Sequence, residues 1–104
     1  MSSQASPTET ADAVKAAVLA VPGVVGLHGG AFGEVATYFP GRTVQGVRVR
    51  PESTAVHLVL AWNAPAQATA ALVREAVTSI TRTPVDIVVA DVAEPAGLSP
   101  IQGP

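Results

Sequence analysis

The sequence predicts an α+β domain with two helices packed on one face of a small mixed β-sheet, in the order helix–strands–helix–strand. Three observations predict it. Apolar residues recur at helical spacing in two separate stretches, Ala11 to Val21 and Leu72 to Ile80. Between them lie runs that alternate apolar and polar residues in the strand manner. A valine-rich run from Pro84 to Val92 closes the pattern.

Each element has its own signals. Residues 1–6 read as a short polar tail, and 7–93 as a single domain. Ser6-Pro7-Thr8-Glu9 reads as a helix start: Ser6 caps, Pro7 suits the first helical position, and Glu9 reaches back as in a capping box. Ala11, Val14, Val18 and Val21 then mark the buried stripe, and Pro22-Gly23 stops the helix. Val24 to His28 is a short apolar segment, followed by a glycine-rich loop, Gly26 to Gly33. Glu34 to Phe39 reads as a strand ended by the turn signal Pro40-Gly41. Thr43 to Arg50 reads as one strand with Gln45, Val47 and Val49 on one face and Arg48 and Arg50 on the other. Pro51 to Thr54 turns it into a hairpin with Ala55 to Trp62, where Val56, Leu58, Leu60 and Trp62 share a face opposite His57, Val59 and Ala61. Asn63-Ala64-Pro65 opens the second helix, and Thr83-Pro84 ends it. The last strand follows a helical crossover from its predecessor, so the two should lie parallel. The expected core is Val24, Val47, Val49, Val56, Leu58, Leu60, Leu72, Val77, Ile80, Ile87 and Val89. Residues 94–104, with Pro95, Pro100 and Pro104, read as a flexible tail.

Composition narrows the chemistry. The 104 residues make one domain, which buries roughly 60–65% of its unfolded surface, enough for a modest core. Only Phe32, Tyr38, Phe39 and Trp62 are aromatic. The absence of cysteine removes disulfides, thiolate nucleophiles, zinc–thiolate sites and cysteine-ligated iron–sulfur clusters. The net charge of −2 lacks the basic surplus of a phosphate-neutralising protein. No stretch has the length of a membrane span, and no positive N-terminal region precedes the apolar run from Ala16. The expectation is a cytoplasmic protein with no direct membrane insertion.

No motif assembles a catalytic site. The loop Gly26 to Gly33 lacks the lysine and hydroxyl of a phosphate cradle, and no serine sits in a nucleophile elbow to match His28-Gly29-Gly30. It reads as a turn needing unusual backbone angles. His28 and His57, with Glu34 or Asp86 as a carboxylate, do not fall at metal-ligand intervals. The eight carboxylates form no recognisable acid–base pair. The expectations are no catalytic residue, no metal and no cofactor. Arg42, Arg48 and Arg50, half of the six basic residues, fall within nine positions, with His57 across the strand pair. They read either as a partner-binding patch or as solvated charges guarding a strand edge.

In sequence order, several segments resemble one family. They are the helix ending in Val21-Pro22-Gly23-Val24, then Gly46-Val47-Arg48-Val49, the strand Val56 to Trp62, the helix Ala66 to Ile80, and the closing Val85-Asp86-Ile87-Val88-Val89-Ala90-Asp91-Val92. Over most of the chain this resembles the bacterial alkaline shock proteins, also called envelope stress response proteins, in a short form. The resemblance implies a non-enzymatic scaffold or adaptor in envelope stress homeostasis. Its expected partner is another protein, membrane-anchored in some members, and members self-associate. It carries over no catalytic residue. The chain departs from many members in lacking a long charged C-terminal extension and in having few lysines and glutamates. Iron–sulfur assembly domains share the element order but need cysteine. A small nucleic-acid-binding domain using Arg42, Arg48 and Arg50 is the alternative, and it predicts salt-sensitive binding.

Overall fold

A computed structural model of the chain describes residues 7–30 and 35–93. The N-terminal tail, the Ser6 cap, residues 31–33 of the glycine-rich loop, Glu34 at the start of the expected strand and the C-terminal tail lie outside the described residues. Eight elements follow one another: α1 (Pro7–Leu19), β1 (Val24–Leu27), β2 (Ala36–Phe39), β3 (Arg42–Gln45), β4 (Val47–Val49), β5 (Thr54–Ala61), α2 (Ala66–Thr81) and β6 (Val85–Ala93). The order is helix, strands, helix, strand, in a mixed α+β arrangement.

β5 is the axis of the main sheet. On one flank it pairs antiparallel with two strands laid end to end: β4 on its first half (Val47 opposite Val56) and β1 on its second (Leu27 opposite Leu58). On the other flank it pairs parallel with β6 along its length, as the α2 crossover requires. β2 and β3 form a separate antiparallel hairpin.

Alternation along β5 sorts the faces. Thr54, Val56, Leu58 and Leu60 are buried beneath the helices, while Ala55, His57, Val59 and Ala61 are half-buried on the opposite face. Val14 and Val18 of α1 and Val73 and Val77 of α2 are fully buried against that inner row, with Val24, Val47 and Val85. The β2–β3 hairpin joins the same core through Val44, with Phe39 packed at its border.

Four expectations need correction. Thr43 to Arg50 is not one strand. Gly46 takes φ +85°, which ends β3 and turns the chain into β4, so Gln45 belongs to a different sheet from Val47. A Cβ at Gly46 would also stand 2.5 Å from the Leu27 Cβ, so both backbone angle and space demand glycine. Leu72, expected in the core, is 49% exposed because Thr69, Val73 and Val77 form the buried stripe and Leu72 falls to its side. Val89 is 37% exposed, since β6 is an outer strand that the helices only partly cover. Trp62 lies past the end of β5 and is 55% exposed. Val14 and Val18 are buried as the helical stripe of α1 predicts, while Val44 and Val73 carry core positions outside the expected list.

Candidate interaction surfaces

The four polar residues expected to act together occupy three different places. Arg42 opens β3 on the α1 side. Its guanidinium grips the Asp12 carboxylate of α1 through two hydrogen bonds, Nη1 to Oδ1 at 3.2 Å and Nη2 to Oδ2 at 2.6 Å. It also lies 5.8 Å over the Phe39 ring. The hydrogen bond from Arg42 holds the Asp12 carboxyl below its ordinary value, and the same bond raises Arg42. Arg42 is therefore a strut between hairpin and helix.

Arg50 lies at the far end of the sheet, beyond β4. It lines an open cleft of about 950 Å³ with Arg82, Ser79, Thr81 and Thr83, and with Glu9 from α1. Arg48 and His57 do come together. Arg48 pairs with Ala55, and His57 is the next residue of β5 on that outer face, a diagonal cross-strand neighbour. Asp86 stands beyond Ala55 and Val88 beyond His57, so this face carries a cation on one flank and a carboxylate on the other.

His28 is used locally: its Nδ1 accepts the Gly30 N–H at 2.9 Å, and its own N–H donates to the His57 carbonyl at 3.0 Å. Among the described residues, no three histidines, aspartates or glutamates gather where they could hold a metal ion. No helix among them is long and apolar enough to cross a membrane.

One exposed apolar surface includes Val89, which the sequence places in the core. Val88, Val89 and Val92 of β6 are 43%, 37% and 49% exposed, and among the described residues β6 pairs with β5 alone. No strand among the described residues pairs with its outer edge. A β-bulge sharpens the strand's chemistry. Leu58 pairs with Val89, but the next residue, Val59, pairs with Asp91, leaving Ala90 extra. The skip puts Val89 and Val92 on the helix side and Asp86, Val88 and Asp91 on the outer face.

Side chains close this edge at both ends. Thr54 N–H donates to the Pro84 carbonyl, so the Val85 carbonyl points away from β5, and there it accepts the Arg74 Nε at 3.4 Å. Trp62 N–H donates to the Ala93 carbonyl, so Val92 also points outward, and its N–H is taken by Asp91 Oδ1 at 2.8 Å. The signal was present in sequence as aspartates within a valine run. Only the bulge reveals that both share a face.

No protein-family model, curated protein or solved structure matches the chain.

Proposed function

We propose that the protein is a non-enzymatic scaffold or adaptor of bacterial envelope stress homeostasis, working through protein–protein contacts that include self-association. The observation that carries this reading is β6: a nine-residue outer strand whose outer edge no described strand pairs, with three exposed valines, in a small domain. Burying such a strand against another chain satisfies edge hydrogen bonds and removes apolar surface from water together. Arg48 and His57 on the neighbouring outer face offer polar contacts that give such docking its orientation. The stress setting rests on the ordered resemblance of Val21-Pro22-Gly23-Val24 and the closing valine strand. It brings with it a cytoplasmic location and association with the membrane through an anchored partner.

The nucleic-acid reading needs Arg42, Arg48 and Arg50 on one surface. Arg42 is engaged by Asp12 and Arg50 faces a different cleft, which weighs against that reading.

Affinity capture of the tagged protein from detergent-solubilised, nuclease-treated cells tests the proposal. Retention of a membrane-anchored protein, lost when Val92→Asp and Arg48→Glu are combined, is the expected result. Retention that depends on RNA and disappears with nuclease would replace the scaffold reading with the nucleic-acid one.

A further inference from the structure

We infer that the cleft between the end of β4, the C-terminal turn of α2 and the first turn of α1 binds a phosphate monoester, with Arg50 and Arg82 holding the phosphate. The inference goes beyond the scaffold reading and does not depend on it.

The backbone brings the two arginines to one place. Arg50 follows Val49, which pairs with Thr54, and the Thr54 N–H donates in turn to the Pro84 carbonyl. The end of β4 and the starts of β5 and β6 therefore lie side by side. Arg50 stands two strand spacings, roughly 10 Å, from the turn that carries Arg82. That span is within the joint reach of two arginine side chains, and both line the open cleft of about 950 Å³. Among the described residues neither is paired with a carboxylate, in contrast to Arg42. Arg74, at the same end of the molecule, donates to the Val85 carbonyl instead.

Arg82 occupies an unusual position. Its φ of +58° is left-handed, the only such value outside glycine among the described residues, at a helix end where glycine is preferred. A chain of hydroxyls pins the residues on either side of it. Thr54 meets Thr83 at 3.3 Å, Thr83 donates to Thr81 at 3.1 Å, and Thr81 donates to the Val77 carbonyl at 3.2 Å. Thr54 is fully buried, so this chain ties the Arg82 turn to the core. An arginine in an anchored, uncommon backbone conformation beside a cleft is a charge held in place, and that lowers the ordering it must undergo on binding.

The ligand class follows from the lining. A carboxylate has two oxygens and satisfies one guanidinium fork, whereas a phosphate monoester presents three and engages two forks from different walls. Val49 and Ile80, both half-buried, and Ala13 line the cleft with apolar surface for the esterified group. Glu9 lies on the α1 wall, where its carboxylate opposes further negative charge. A single phosphate therefore fits better than a polyphosphate or a nucleic-acid backbone. The helix ends do not decide the matter: the first turn of α1 favours an anion and the last turn of α2 opposes one, so the guanidiniums carry the site.

Titration of the full chain with phenyl phosphate at fixed ionic strength, followed in ¹H–¹⁵N correlation spectra, tests the site. Saturable shifts at Arg50, Ile80 and Arg82, with none at Arg42 or Arg48, are expected. Benzoate and the variant Arg50→Gln should each weaken binding at least about tenfold, the loss of one charged hydrogen-bonding partner. Arg82→Gly is the sharper variant. Glycine suits the left-handed position, so this chain should melt close to the wild type while its binding falls at least about tenfold. Co-sedimentation with phosphatidylcholine vesicles carrying phosphatidic acid separates two sources of the group. Retention that Arg82→Gly abolishes assigns the phosphate to a lipid headgroup, and binding of phenyl phosphate without retention assigns it to a soluble ester. Shifts that never saturate, benzoate binding as tight as that of phenyl phosphate, or binding that survives both arginine substitutions overturns the inference.

Discussion

At the scale of single residues, Arg42 shows how a side chain within an apparent functional cluster can be spent on architecture. Its bidentate grip on Asp12 ties the hairpin to α1 and lowers the carboxyl's proton affinity. The consequence has a sign. A carboxyl whose folded pKa lies below its unfolded value contributes stability at pH above the unfolded value, and that contribution fades as pH falls through the folded one. Arg42→Ala should therefore lower the melting temperature slightly at neutral pH and converge on the wild type in acid, as a melting series against pH would show. Both groups are solvated, so added salt should shrink the neutral-pH difference as well. Gly46 answers to steric demand instead. Its positive φ and the Leu27 Cβ at 2.5 Å, with the His28 nitrogen at 3.0 Å, leave no room for a methyl group. Gly46→Ala should cost roughly 3 kcal/mol or more in denaturant unfolding, combining backbone strain with overpacking at the junction of two strands.

At the scale of elements, β5 dominates. Its inner row, Val56, Leu58 and Leu60, is at most 1% exposed and meets both helices. Leu58→Ala should destabilise by about 2–5 kcal/mol, and Leu58→Asp should abolish the cooperative transition, because no cation lies in that row to pair a buried carboxylate. A sharp melt of Leu58→Asp at the wild-type temperature would show the opposite strand face to be the buried one. The type and order of the elements were readable because period-2 and period-3.6 patterns do not overlap over Thr54–Ala61 and Ala66–Thr81. The β3–β4 break was missed although the letters carry a trace of it: the apolar phase shifts from Val44 to Val47 and Val49 across Gln45-Gly46. What interrupts the strand is a backbone angle at one glycine, Gly46. Leu72 was misplaced for a related reason: a wide apolar stripe does not say which of its borders is buried, and the neighbouring elements decide that.

At the scale of the whole molecule, the candidate surfaces were only half legible. Arg48 and His57 are brought together because strand pairing is local and the hairpin was readable. Arg42 and Arg50 are drawn apart by the third dimension, the first by α1 and the second by the end of the sheet. The outer edge of β6 was hidden altogether. A valine-rich strand looks the same in sequence whether a sheet continues past it or stops, and among the described residues the sheet stops here.

The relay of β4 and β1 along one flank of β5 carries a consequence of its own. The two short strands meet at His57, whose N–H goes to the Gly46 carbonyl and whose carbonyl accepts the His28 N–H. That flank of β5 is therefore gripped by two parts of the chain that can let go separately, whereas β6 holds the other flank as one piece. The hairpin with β4 is a unit able to open and reclose while β1, β5, β6 and α2 stay closed. Amide protons of β4 should then exchange with solvent ahead of those on the β1 half, and the molecule would breathe along a seam that runs through a single histidine.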